Sequence, residues 1–175
     1  LGAGGGGGGG GGAQLWHYTH LALLGSGVVA PGEAALVAGT TAPVQIVTAS
    51  PVRDTSVWTE CHAVPGSFVV ESSAGALGRL VETLAFTMFP DAASPVARLL
   101  AEAGQGVPGA GGLVATVSRP VMDAHSLELP IASLSWTSLL GESDTGRQRN
   151  AARAAVEATA FALRANLERL QEVTS

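Results

Sequence analysis

The sequence contains no lysine, one cysteine, one tyrosine and few charges of either sign, with Asp, Glu, Lys and Arg together making up 13% of 175 residues. Without lysine there can be no Gly-x-x-x-x-Gly-Lys loop of the P-loop type. Nine arginines stand against fourteen carboxylates for a net charge of −5, and no basic cluster forms, so the electrostatic footprint of a nucleic-acid binder is missing. Cys61 alone cannot make an intramolecular disulfide, which points to a reducing compartment and a cytoplasmic location. No apolar run approaches the roughly 18 residues needed to span a membrane. The opening "LGAGGGGGGGGGAQ" has neither the charged start nor the apolar centre of a signal peptide.

What is present is apolar. A hydrophobic content of 46% excludes a disordered chain, and the length suits one folding unit with a real core rather than two. Residues 1–14 are dominated by glycines that have no side chains to bury and the most backbone entropy to lose, so they are expected to form a flexible tail. The folded unit is then 15–175.

Along that unit, "LWHYTHLALLGSGVV" carries helically spaced apolar residues, followed by the punctuation of Gly25, Gly27, Pro31 and Gly32. "AALVAG" and "PVQIVT" are strand-type runs on either side of Thr40 and Thr41 and predict a hairpin or a tight strand pair. "TECHAVPGSFVVES" adds two short strands broken at Pro65 and Gly66. The pattern then turns helical, with Leu77, Leu80, Val81, Leu84 and Met88 on one face. A second helix is expected over roughly Pro95 to Ala103, then a strand at "GLVATV", then an irregular excursion from Ser118 to Asp144 with one or two short strands. From Gln148 to Glu172, Ala152, Val156, Ala160, Leu163, Leu167 and Leu170 make one apolar stripe, and Arg153–Glu157 and Arg164–Glu168 pair on the wetter side. Strands followed by long helices predict a mixed α/β domain.

Among candidate chemistries, "VAGTTAPVQ" offers a turn at Gly39, Thr40 and Thr41 whose backbone N–H groups and threonine hydroxyls could meet phosphate oxygens; the alternative is an ordinary hairpin turn. His17 and His20 stand three residues apart but have no cysteine or carboxylate nearby in sequence to complete a metal site. Cys61 and His62 are adjacent on a strand and so point to opposite faces, which excludes a nucleophile dyad and leaves a buried structural cysteine as the expectation. Glu60 and Glu71 suit solvated or capping roles better than an acid–base pair. Trp16, Trp58 and Trp136 could stack on a sugar ring, with core or edge packing the commoner fate.

The succession "LALLGSGVVAPGEAALVAGTTAPV", "CHAVPGSFVVESSAGALGRLVETL" and "ARAAVEATAFALRANLERL" resembles the carboxy-terminal half of the FGGY family of carbohydrate kinases, which contains xylulokinase and glycerol kinase. The resemblance runs from about Tyr18 to Val173. It implies an incomplete ribonuclease H-like, actin-like ATPase domain, with ATP and Mg²⁺ as cofactors and a sugar or polyol as substrate. It further implies that Gly39 and Thr40 lie in the loop that meets the nucleotide phosphates, with Thr41 beside them and Gly75 of "SSAGAL" close by. Such a turn needs no lysine. The family's general base is an aspartate in the pattern Gly-Asp-x-x-x-Ala-x-x-Gly; matching the last glycine to Gly25 puts Tyr18 at the aspartate's place. A phenol of pKa about 10 is a poor base at neutral pH, so the resemblance implies no catalytic residue in this chain.

The amino-terminal kinase domain, with its Asp-x-Gly-Thr loop, and the glycine-rich adenine segment are also missing from the resemblance. A fragment inactive by itself is therefore expected, the alternative being a non-catalytic α/β module that binds or contacts another subunit. With later elements absent, the stripe of Val156, Ala160, Leu163 and Leu167 would be only partly covered and would favour self-association, a homodimer being its simplest form.

Overall fold

The structure is a computed structural model and describes residues 18–117, 121, 133–137 and 144–175. The glycine-rich tail, His17, Trp16 and most of the excursion from Ser118 to Asp144 lie outside the described residues.

The helix expected near the start is α1 (Tyr18–Gly25), stopped by Ser26 and by Gly27 at φ +75°. The hairpin is β1 (Ala34–Leu36) and β2 (Pro43–Thr48), closed by the Val37 N–H donating to the Pro43 carbonyl at 3.1 Å. β3 (Trp58–Cys61) and β4 (Phe68–Ser73) follow, and the antiparallel sheet runs β1-β2-β4-β3. Its pleat sends Val44, Ile46 and Val70 to one face, where they meet Val57 and Leu170. Gln45, Val47, Val69 and Glu71 take the other face.

Two helices come next: α2 (Leu77–Met88), on the stripe expected for it, and α3 (Pro95–Gln105), which starts with a proline where a missing N–H costs nothing. β5 (Val114–Val117) pairs antiparallel with β6 (Leu134–Thr137) in a separate two-stranded sheet. The last element, α4 (Asp144–Thr174), spans 31 residues and joins the pieces. Its amino-terminal half packs through Ala152 against Ala85, Phe89, Leu99 and Ala103, and through Ala151 and Ala154 against Ala110 and Leu113. Farther along, Ala158 and Ala162 meet Leu77, Leu80 and Val117.

The buried face of α4 is thus lined by alanines, Asn166 and Leu170; it keeps Ala152 and Leu170 of the stripe read in the sequence and is rotated about the helix axis from the rest of it. Val156, Leu163 and Leu167 are half-buried at the margins of the core clusters, while Ala160 is exposed. Large side chains lost the central positions because small ones let three layers approach one helix. Inside this contact the Ser72 hydroxyl and the Asn166 side-chain oxygen lie 2.6 Å apart, and the Asn166 amide donates to the Ala162 carbonyl at 2.8 Å.

Among the described residues, no helix is long and apolar enough to cross a membrane.

Candidate phosphate-facing site

The loop between β1 and β2 is lashed to the start of α2. Beyond the strand ends the Ala42 N–H donates to the Gly75 carbonyl at 3.0 Å and the Ala74 N–H to the Ala42 carbonyl at 3.2 Å, so the ladder continues to the helix. Gly75 makes the corner with φ +74°, a left-handed conformation natural to glycine, and its N–H donates to the Ser73 hydroxyl at 3.1 Å. The chain then enters α2 through Ala76, whose side chain gives the helix no capping bond.

Gly39 and Thr40 lie against this helix start. A Cβ on Gly78 would sit 1.9 Å from the Gly39 carbonyl oxygen, so only glycine admits the loop at this distance. Together Gly39, Thr40, Gly78, Arg79, Glu82 and Val96 line an open cavity of about 310 Å³. The Gly39 N–H is committed to the Thr41 carbonyl at 3.1 Å. Thr40 is exposed at the cavity, and neither its N–H nor its hydroxyl has a partner among the described residues.

Of the residues singled out in the sequence, Gly39 and Thr40 are brought to the cavity, Thr41 closes the turn, and Gly75 is buried beneath it as the corner. Tyr18 opens α1 and does not line this cavity. Gly78 and Arg79 were not singled out; their signal was a glycine in the first turn of a helix, followed by a cation off the apolar stripe.

The other candidates are dispersed. Cys61 is exposed, correcting the expectation of a buried cysteine: it sits at the end of an edge strand and the pleat turns its neighbour His62 inward instead. His62 Nδ1 accepts the Val64 N–H at 3.0 Å. Glu60 is not simply solvated, since buried His20 places its Nε2 3.3 Å from Glu60 Oε2. Glu71 accepts the Gln45 amide at 2.6 Å. Trp136 packs beside Leu113 and donates to the Ala151 carbonyl at 3.2 Å, and Trp58 is half-buried on β3.

No family model and no curated protein matches the chain. Solved structures do. A xylulose kinase from Rhodospirillum rubrum is 26% identical and superposes with a TM-score of 0.72 over 89% of this chain and 30% of its own. The fold is that of the FGGY carbohydrate kinases. A ligand-bound xylulose kinase from Lactobacillus acidophilus (21% identical, TM-score 0.65, 86% of this chain and 30% of its own) has the same fold. So does Plasmodium falciparum glycerol kinase with ADP (18% identical, TM-score 0.67, 89% of this chain and 31% of its own). The chain is a mixed α/β part of the actin-like ATPase fold of these FGGY kinases, and spans about 30% of their length.

Proposed function

We propose that the chain is part of a cytoplasmic FGGY-type carbohydrate kinase that phosphorylates a sugar or polyol hydroxyl with ATP, and that its share of the machinery is the nucleotide-phosphate turn. The observation that carries this reading is the seating of Gly39 and Thr40 on the start of α2, which leaves Thr40 donors over a cavity that also holds Arg79. Phosphate oxygens suit that donor set. Glycine at position 39 permits close backbone approach, the Thr40 hydroxyl adds a donor, and Arg79 adds charge. Thr41 and Gly75 hold the turn rather than touch the nucleotide.

Mg²⁺, when bound with ATP, would offset phosphate charge during in-line transfer. Glu82, the one carboxylate among the described residues lining the cavity, fits an ion held mainly by phosphates and water. The sugar contacts and the Asp-x-Gly-Thr loop belong to an amino-terminal kinase domain that would be the chain's partner. Tyr18, at the place of the family's aspartate, cannot serve as general base, so the chain is inactive by itself. That substitution also favours a second reading, a non-catalytic α/β module derived from a kinase that binds nucleotide or contacts another subunit.

Titration calorimetry of ATP·Mg²⁺ on wild type and Gly39→Val tests the turn. A Cβ at Gly39 would meet nothing closer than the Thr41 carbonyl oxygen at 3.6 Å, so the backbone tolerates the change. Weakened binding with an unchanged circular dichroism spectrum is expected; unchanged affinity overturns the assignment.

A further inference from the structure

Arg79 differs from most arginines of the molecule. Arg98, Arg149, Arg153, Arg164 and Arg169 each meet a carboxylate, whereas Arg79 meets none among the described residues and lines the cavity beside Thr40. It stands one residue after Gly78, whose lack of a side chain brings the turn within reach of it. In a sequence without lysine, the guanidinium is the only cation among the described residues that line this cavity. Its fork of donors suits two phosphate oxygens at once.

We infer that Arg79 is the charged contact for the polyphosphate of the bound nucleotide, so that the site selects nucleoside di- and triphosphates over the nucleoside itself. The inference rests on the nucleotide reading but makes a separate demand of it: the discrimination resides in one side chain and is electrostatic. Glu82, on the next turn of the same helix and in the same cavity, is the opposing charge and weakens anion binding. Thr40 orients the phosphate that Arg79 attracts. Arg79 is exposed, so its replacement leaves the core untouched.

The test is calorimetry of the full chain with ADP, adenosine and inorganic pyrophosphate as probes, on wild type, Arg79→Gln and Glu82→Gln. Loss of a charge-assisted hydrogen bond lowers ADP and pyrophosphate affinity by about ten- to hundredfold in Arg79→Gln, with adenosine unaffected. Removing the like charge in Glu82→Gln raises ADP affinity about twofold, an effect that shrinks as salt is added. A structural role for either residue would not produce opposite signs confined to the phosphate-bearing probes. ADP binding that is equal in wild type and Arg79→Gln overturns the inference and leaves the nucleotide reading standing. Equal losses for ADP and adenosine overturn it as well, by placing Arg79 on the nucleoside. Pyrophosphate binding that depends on Arg79 without any nucleotide binding would support the inference and overturn the nucleotide reading.

Discussion

Replacing Gly78 with alanine sets two effects of known size against each other. A methyl carbon there would lie 1.9 Å from the Gly39 carbonyl oxygen, 2.9 Å from its carbon and 3.2 Å from Thr40 Cα. An ordinary carbon–oxygen contact needs at least about 3.3 Å, so the loop must retreat by about 1.4 Å. The obstacle is backbone on a loop tied at Ala42 and Gly75, not the end of a flexible side chain. Helix propensity favours the alanine by up to about 1 kcal/mol, while forcing atoms into a packed contact costs about 1–3 kcal/mol. The net loss of stability is therefore small, about 0–2 kcal/mol. The effect on ligand should be larger, because a misplacement of ~1 Å in a binding element can cost on the order of a hundredfold.

Urea denaturation and ADP calorimetry on the same preparations measure both quantities. Gly104→Ala is the control: it lies within α3, and a Cβ there meets nothing within 4 Å, so it should gain stability and leave binding alone. If Gly78→Ala behaves like Gly104→Ala in both assays, the close seating of the turn on α2 is wrong, and the argument for the site goes with it.

The other expectations are more direct. The purified chain should release no ADP above background with pentuloses, glycerol or gluconate, since losing the general base alone costs about 10²- to 10⁴-fold; sugar-dependent turnover in a coupled assay would show the active site to be misplaced. Asn166→Ala leaves the buried Ser72 hydroxyl without its side-chain partner and should cost about 1–3 kcal/mol in a denaturation curve. Self-association should fall on replacing the exposed Phe161 with serine, measured by light scattering, whereas polar residues at the half-buried Leu163 and Leu167 should lower the melting temperature instead. Glu33 accepts the N–H groups of Ala30 at 2.9 Å and Val29 at 2.8 Å, which hold its carboxyl below the usual carboxylate range. Its stabilising contribution is present above the unfolded value and is lost as pH falls through the folded one; an NMR titration placing Glu33 at or above the ordinary value would refute the cap.

The hairpin, the two helices around Leu80 and Leu99 and the long last helix were legible because apolar spacing and glycine or proline punctuation agree there. The orientation of α4 was not. Alanine carries little weight in an apolar stripe, yet close approach of several layers makes it the residue that is buried, so the face is centred on Ala151, Ala155, Ala158 and Ala162. At the candidate site, Gly39 and Thr40 could be picked out as a turn with donors, and the resemblance named what they would meet. Gly78 and Arg79 could not, because their meaning depends on a loop nearly forty residues earlier folding back onto them. Exposure of Cys61 likewise follows from its position at a sheet edge, which no local pattern announces.

The alanine-faced helix also sets an order on events during synthesis. Ser72 and Asn166 are 94 positions apart, so at roughly 5–20 residues per second the ribosome needs on the order of 5–20 s to deliver the helix after the strand it covers. For that interval the face of Val44, Ile46 and Val70 lacks Leu167 and Leu170, and Leu77 and Leu80 lack Ala158 and Ala162, while the backbone hydrogen bonds that tie the turn at Gly39 to the corner at Gly75 join residues already made. The phosphate-facing corner can therefore form on the nascent chain well before the sheet behind it is sheltered. Within those seconds the newborn chain is at once ready to hold a ligand and exposed to chaperones and aggregation, and a nucleotide bound at that stage would hold the corner in place while the sheet waits for its helix.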